Sequence, residues 1–533
     1  MEAQAVGRGR RAAAIGLLAA GAALRIWQFA GGAALWVDEI ALAENVLARP
    51  LSRLLFEPLG FDQVAPPGFL AAEKAASLLF GPGERSLRLV PLLASLAALA
   101  LFARLAFRVL AGWTAVFALG LFAGGVPLVL YAAEAKPYSL DVAAAAGLTL
   151  LALRLAERPG DARREAAAGL AGILAVGFSH ASVLFLAGLG AALAVRMWPR
   201  RGRGLSALPL ATLALWAAGA AAAGFAARRT VTPAMRDFLQ RFWDHAFWPA
   251  PATAADALWL PRTLRGFWGQ SLFQYPASVA YLAVMLVGFW ALRRRRRDAA
   301  MLLLGPVLAM LLASALRLYP FYGRLLLPLA PAFLLALSEG AGFLAARLRL
   351  APALAAGLLA VAPLAALAAN RPVHPHEEVR PLLGWIAANR RPGDAVYVSH
   401  GAERALRFYG PRFGLPPEAL TFGGCHRDDR RAYLRELDAF RGRDRVWAIF
   451  VHDVTSVGEQ AAAFAYLDAI GVRRARREVV ESTGSPMVAA LYDLSLPGRL
   501  ASSSAGAFPL PEGDAALARR LGCGSGPLRS AAR

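Results

Sequence analysis

Residues 12–40 read AAAIGLLAAGAALRIWQFAGGAALWVDEI: an apolar run from 12 to 30, followed by Trp36-Val37-Asp38-Glu39-Ile40. The run is close to the ~20 residues a helix needs to cross a hydrocarbon core. Arg8, Arg10 and Arg11 stand before it, and such a basic flank stays in the cytoplasm, so residues 32 to 85 are expected to begin outside. A cleaved signal peptide has a similar layout; a retained helix is the reading adopted, because many further spans follow. Asp38 and Glu39 then lie just beyond the end of a span. Adjacent carboxylates point in different directions, so one can act as a base while its neighbour holds a partner or an ion. The alternative is a pair of acids that favour a helix start.

The whole chain fits that beginning. Of its 533 residues 57% are hydrophobic and only 18% charged, with mean hydropathy +0.46. Division by ~150 residues per soluble domain would suggest three or four domains, but recurrent long apolar stretches make this a polytopic membrane protein instead. The net charge of +22 would ordinarily raise nucleic acid as a partner. Here the cations are nearly all Arg, Lys74 and Lys136 being the only lysines, and they gather in short loops between apolar segments. That is the positive-inside pattern, and it excludes nucleic acid as the explanation.

Charge orders the spans. Pro66-Pro67 opens an apolar helix to Phe80 that carries Glu73 and Lys74; each charge at mid-bilayer would cost ~3 kcal/mol, so this helix is expected to lie along the interface. The run 86–109 ends inward at Arg104 and Arg108, 113–131 returns outward to Glu134-Ala135-Lys136-Pro137-Tyr138, and 140–156 goes back to Arg154, Arg158, Arg163 and Arg164. Residues 166–197 have basic loops at both ends, including Arg196, Arg200, Arg201 and Arg203, so they must turn, at Ser179-His180. Each arm of ~15 residues reaches ~22 Å against a ~30 Å core, so the turn is expected below the outer surface, sheltered by protein. The run 205–227 leads out to a loop, 228–274, whose Trp243, Trp248, Trp259 and Trp268 read as interface anchors, the alternative being stacking on an acceptor sugar. Runs at 276–292, ending in Arg293 to Arg297, and at 299–316, 323–342 and 350–369 complete about 11 transmembrane helices. The N-terminus is expected in the cytoplasm and the C-terminus outside.

From 371 the pattern changes to short strands, at 395–398, 446–451, 476–482 and 487–493, alternating with helices. The expectation is a transmembrane domain over 1–370 and an extracytoplasmic α/β domain over 371–499. Residues 500–533, rich in Ser, Gly and Ala, are expected to be disordered. Cys425 and Cys523 have no zinc-type spacing; a disulfide between them is open in an oxidising compartment.

Several motifs resemble the integral-membrane glycosyltransferases of the protein O-mannosyltransferase and lipid A aminoarabinose transferase type. They are Trp36 to Ile40 after the first span, Asp62-Gln63-Val64-Ala65-Pro66-Pro67, Phe80-Gly81, and Ser86-Leu87-Arg88 entering the second span. Tyr131 to Tyr138 after the third span, and Gly323-Arg324-Leu325 with Pro328 before a late one, are similar as well. The likeness runs in order over about residues 10 to 370. It implies the GT-C fold and an inverting transfer of a sugar from a polyprenyl phosphate, at the outer face of the cytoplasmic membrane, to an envelope glycan, lipid or protein.

The resemblance further implies Asp38 as general base for the acceptor hydroxyl, with Glu39 beside it. An inverting transfer needs one carboxylate opposite the leaving group, not a nucleophile pair. The leaving lipid phosphate calls for cations, and Lys136, Arg324 and Arg88 are the candidates, with Tyr138 and Tyr322 as phosphate or sugar contacts. Against these stand a snorkelling role for Arg324 and plain interface positions for the tyrosines. Glu134 is expected to orient Lys136, contact the sugar or form a local ion pair. His180 either projects into the cavity from its turn or satisfies the hairpin backbone. Asp62 is expected near Asp38 and Glu39, a position from which the three could share a divalent cation. The chain departs from the group's usual pattern at Ala65, Gly68-Phe69 and Leu325. A transporter or flippase of a lipid-linked sugar is the rival reading, and a scaffold for the outer domain the third.

Overall fold

The computed structural model describes residues 2–197, 207–250, 253–269, 273–370, 376–427, 429–454, 456–480, 486–496 and 504–523; Arg200, Arg201 and Arg203 lie outside them. Helices follow the apolar runs closely. They are α1 (Glu2–Ala30), α2 (Val37–Ala48), α3 (Leu51–Phe56), α4 (Pro67–Phe80), α5 (Ser86–Val109), α6 (Trp113–Ala123), α7 (Val126–Leu130), α8 (Tyr138–Glu157), α9 (Ala162–Phe178), α10 (Ala181–Met197) and α11 (Ala207–Thr230). After them come α12 (Pro233–Phe242), α13 (Ala254–Ala257), α14 (Trp259–Trp268), α15 (Ser278–Arg295), α16 (Arg297–Ala315), α17 (Ala330–Arg347) and α18 (Pro352–Ala369).

Six of these are long and apolar enough to cross a membrane, and a seventh span arises if α6 and α7 count as one. The other four expected spans are helices too, α9, α10, α15 and α18, but they are shorter, or they carry charge at one end as α9 and α15 do. The span expected as a single run from 113 to 131 is bent by 56°. Gly124-Gly125 followed by Pro127 interrupts the helical hydrogen bonds there. Arg25 of α1 enters the break and donates to the carbonyls of Ala123 (2.9 Å) and Phe122 (3.2 Å).

Where helices cross, small residues allow contact in lipid, which offers no hydrophobic drive of its own. A methyl at Gly288 of α15 would sit 1.6 Å from the Ala336 carbonyl oxygen of α17, and one at Gly188 of α10 would meet Gly305 of α16 at 2.4 Å. The α9–α10 hairpin breaks at Ser179-His180, as its flanking charges require. Its tip lies beneath α4, where a methyl on Gly68 would meet the Gly177 carbonyl oxygen at 2.8 Å.

Helix α4, expected along the interface, turns its charges inward. Glu73 is 1% exposed, and Lys74 turns inward to donate to the carbonyls of Val46 (2.9 Å) and Leu47 (3.3 Å). The exposed residues are Leu78, Leu79 and Phe80; the helix hides its charges against α2 and gives its apolar end to the surroundings. The aromatic loop also departs from simple anchoring, because Trp268 is fully buried and stacks at 6.1 Å on Tyr275.

Beyond α18, a five-stranded sheet in the order β2-β1-β3-β5-β4 is formed by β1 (Ala395–Val398), β2 (Thr421–Phe422), β3 (Val446–Phe450), β4 (Val472–Val479) and β5 (Met487–Asp493). The first three are parallel and the last two antiparallel. Val-Trp-Ala-Ile-Phe in β3, the central strand, parallel to β1 and antiparallel to β5, is wholly buried. The arginine-rich β4 takes the edge, where charge blocks further pairing. Helices α19 (Arg380–Asn389), α20 (Glu403–Tyr409), α21 (Arg430–Asp438) and α22 (Glu459–Ile470) cover the sheet.

Part of the segment expected to be disordered is ordered instead. Ala515–Leu521 forms α23, Cys523 is bonded to Cys425, and Arg430 and Arg431 donate to carbonyls of Pro511 and Gly506. Ser/Gly/Ala composition did not reveal these tethers.

The sheet does not merely sit above the helices. One hydrophobic core contains Leu35, Ile40 and Phe69 from the membrane part together with Leu382, Val396, Trp447 and Leu491. Tyr409 accepts the Leu35 N–H at 2.7 Å, Glu378 that of Ala34 at 2.9 Å and Glu377 that of Val37 at 3.2 Å. The segment leading into α2 is therefore held by the α/β unit.

Candidate active site

Trp36 precedes α2, and Asp38 and Glu39 fall in its first turn, where the free N–H groups and the helix dipole favour acids. The two carboxylates then part. Glu39, 1% exposed, receives Arg88 of α5 in a fork, Nε to Oε1 at 2.8 Å and Nη2 to Oε2 at 2.5 Å. Its oxygens also accept the N–H of Ala135 (2.6 Å) and of Trp36 (3.3 Å). Arg88 is completed by the carbonyls of Ala33 (2.6 Å) and Ala34 (3.0 Å). The pair is saturated and buried: it fastens three segments together and offers nothing to a ligand.

Asp38 faces a partly open space. Its Oδ2 accepts Arg324 Nη2 at 2.6 Å, each side chain being 25% exposed. Arg324 begins the short turn Gly323–Leu329 before α17, entered through Gly323 at φ +53°, a conformation that suits glycine. Its guanidinium lies over Trp36 (5.4 Å) and Tyr138 (5.6 Å). Lys136, buried, reaches Gln63 Oε1 at 2.6 Å. Burial by itself would raise the Asp38 pKa; Lys136, Arg324 and His452 outweigh it and hold the carboxyl well below the usual range. The Lys136 pKa is lowered by burial, against the pull of Asp38.

The other expected residues are spread around this pair. Glu134 is buried and faces His376 Nε2 at 3.5 Å, so it meets a histidine rather than orienting the Lys136 amine. Tyr138 lies under Arg324 and edge-on to Tyr131. Tyr322 turns to His245, ring to ring at 5.0 Å, away from this group. His180 stands beside the backbone of Ala65, ahead of the two prolines, so it meets the first outer loop instead of its own hairpin backbone, and among the described residues its buried Nε2 has no hydrogen-bond partner. Asp62 and Phe61 both have left-handed backbone, in a loop clamped by Asn45 through the Gly60 N–H (2.8 Å) and carbonyl (3.2 Å). Asp38 is paired with Arg324 and Glu39 with Arg88, and among the described residues no three His, Cys, Asp or Glu side chains group to hold a metal.

Sequence reasoning missed the contribution of the α/β unit. The rings of His376 and His452 lie tilted against Trp36, centroid to centroid at 5.0 Å and 6.4 Å. His452 Nδ1 is hydrogen-bonded to Glu377. A signal was present, since His452 lies two residues past the apolar strand β3, and the C-terminal ends of parallel strands are where α/β sheets place ligands. Arg25, an ionisable residue inside a span, was equally visible by the rule that such residues are costly and purposeful.

No protein-family model and no curated protein matches this chain. Among solved structures, ArnT from Cupriavidus metallidurans bound to undecaprenyl phosphate superposes with a TM-score of 0.50 at 14% identity, covering 91% of this chain and 98% of that one. The archaeal oligosaccharyltransferase AglB from Archaeoglobus fulgidus, in complex with an inhibitory peptide and a dolichol-phosphate, follows at 0.48 and 14%, covering 89% and 74%. The likeness to ArnT establishes the fold, GT-C, which the sequence motifs implied.

Proposed function

We propose that this protein is an inverting glycosyltransferase that moves a sugar from a polyprenyl phosphate to an envelope glycan, lipid or protein at the outer face of the cytoplasmic membrane. The observation that carries the reading is the meeting of one ionised, partly open carboxylate, Asp38, with two cations, Arg324 and Lys136, at the ends of membrane helices. That the ArnT structure of the same fold holds undecaprenyl phosphate supports a lipid phosphate as the anion.

The chemistry follows from the charges. Asp38 takes the proton of the acceptor hydroxyl as its oxygen attacks the anomeric carbon; the bond from that carbon to the phosphate oxygen breaks, and the electron pair leaves with the phosphate. Lys136 and the Arg324 fork stabilise the developing charge. Arg324 donates to Asp38. A phosphate that draws the guanidinium away removes one of the contacts that, after Lys136, lower the carboxylate's basicity, so Asp38 becomes a stronger base as the donor binds. Glu39 and Arg88 hold the framework instead of touching either substrate.

With the N-terminus in the cytoplasm and eleven spans, the α/β unit lies outside and faces the acceptor. In cells lacking the protein, mass spectrometry of envelope glycans and lipids should find one sugar missing and its polyprenyl-phosphate donor accumulated where an externally added glycosidase reaches it. A donor accumulated only on the cytoplasmic side would favour a flippase.

A further inference from the structure

Within the transferase reading, the α/β unit brings an ionisable pair to the carboxylate that no motif of the membrane part contains. His452 follows β3 and adopts a left-handed backbone, φ +56°, an uncommon conformation for a non-glycine residue and one that persists where surroundings enforce it. Glu377, 9% exposed at its side chain, bonds His452 Nδ1 and at the same time accepts the Val37 N–H, the residue before Asp38. One carboxylate thus ties the histidine to the start of the Asp38 helix. The His452 side chain is 37% exposed, and among the described residues its Nε2 has no hydrogen-bond partner.

We propose that His452, held by Glu377, is the acid that protonates the departing lipid phosphate, opposite Asp38 as the base. The protons balance. Asp38 takes the acceptor's proton, the acceptor oxygen bonds to the anomeric carbon, and the carbon–oxygen bond to phosphate breaks with its electrons passing to the phosphate. His452 Nε2 gives that oxygen its proton, and the proton on Asp38 then returns to His452. No further reactant is consumed.

The surroundings fit this division. Burial would lower the His452 pKa, but Glu377 and Asp38 together outweigh burial and Arg427 and raise it above its ordinary value, while Asp38 is held low. Opposite displacements of two neighbouring groups mark an acid and a base. The other charged or titratable groups that bear on the ring are His400 and Asp453. Burial, with Arg427 and His452, holds His400 low, near 3, so it stays neutral; burial raises Asp453.

The test uses the full chain in lipid nanodiscs, with undecaprenyl phosphate carrying mannose, glucose or arabinose as donors, an extract of envelope lipids and glycans from cells lacking the protein as acceptor, and release of undecaprenyl phosphate read from pH 5.5 to 9.5. An imidazolium acid predicts that kcat/KM falls as pH rises through the raised pKa. Glu377→Gln, which removes the main cause of the rise, should move that fall to lower pH. His452→Gln should lose roughly 100-fold and the fall with it. An alkaline limb unmoved by Glu377→Gln, or unchanged in His452→Gln, overturns the assignment while leaving the transferase reading in place. A wild-type protein that consumes none of the donors counts against both. If His452→Gln does not fold, the limb of Glu377→Gln decides alone.

Discussion

Replacing Arg88 by Leu and Arg324 by Ala should separate a structural arginine from a ligand-binding one. The side chains of Arg88 and Glu39 are 7% and 1% exposed, and removing one partner of such a buried pair costs about 3–5 kcal/mol, because the remaining charge stays buried without compensation. Arg88→Leu further strands the carbonyls of Ala33 and Ala34. The expected fall in melting temperature is on the order of 10 °C. Arg324 and Asp38 are each a quarter exposed, and a pair so placed contributes about 1 kcal/mol or less. Arg324→Ala should therefore melt within a few degrees of wild type, yet lose roughly 100- to 1,000-fold in transfer, the usual effect of deleting a group that stabilises transition-state charge. The assays are thermal unfolding in nanodiscs and binding of undecaprenyl phosphate. An Arg88→Leu protein that melts like wild type but no longer binds undecaprenyl phosphate would refute the reasoning and restore Arg88 as a phosphate ligand.

Further expectations follow from single sites. Lys136→Met should weaken undecaprenyl phosphate binding by roughly 10- to 100-fold, the loss of one charge-assisted hydrogen bond, with Lys136→Arg recovering part of it; unchanged affinity in a binding titration would remove Lys136 from the phosphate site. Among the described residues both carboxylate oxygens of Glu73 are buried without a hydrogen-bond partner, and burial, then Glu39, raises its pKa well above the usual value. A raised acid lowers stability as pH climbs above the ordinary glutamate range, so Glu73→Gln should melt higher than wild type at pH 8 and alike at pH 4; a lower melting point at pH 8 would mean that the carboxylate has a stabilising partner. Cys425 and Cys523 are 98 residues apart, and cutting a cross-link over such a loop costs about 2–4 kcal/mol. Cys523→Ser should lower the denaturant midpoint of the α/β unit accordingly, and an unmoved midpoint would show that the tether is idle.

How much of this could be read from sequence depends on the kind of signal. The membrane helices were legible because apolar runs and arginine clusters are local. The turn at Ser179-His180 followed from charge at both ends of one run, and Asp38 from its place after a span. What stayed hidden depends on contacts between distant segments. Glu39 and Asp38 are neighbours in sequence, and only Arg88, 49 positions on, makes one of them structural. Likewise the bend between α6 and α7 is accounted for by Gly124-Gly125, but the arginine that fills it comes from α1. His452 and Glu377 reach Asp38 because the α/β unit shares a core with α2, which no periodicity in residues 371–499 reveals. The ordered stretch around Cys523 was masked by a composition typical of disorder.

The most direct measurement is mass spectrometry of envelope glycans, glycolipids and glycoproteins from cells lacking this protein, complemented with wild type or with Asp38→Asn at equal membrane abundance. The account predicts that one sugar disappears and that wild type alone restores it. Full restoration by Asp38→Asn would contradict it, because the carboxylate on which the proposed transfer depends would then be dispensable.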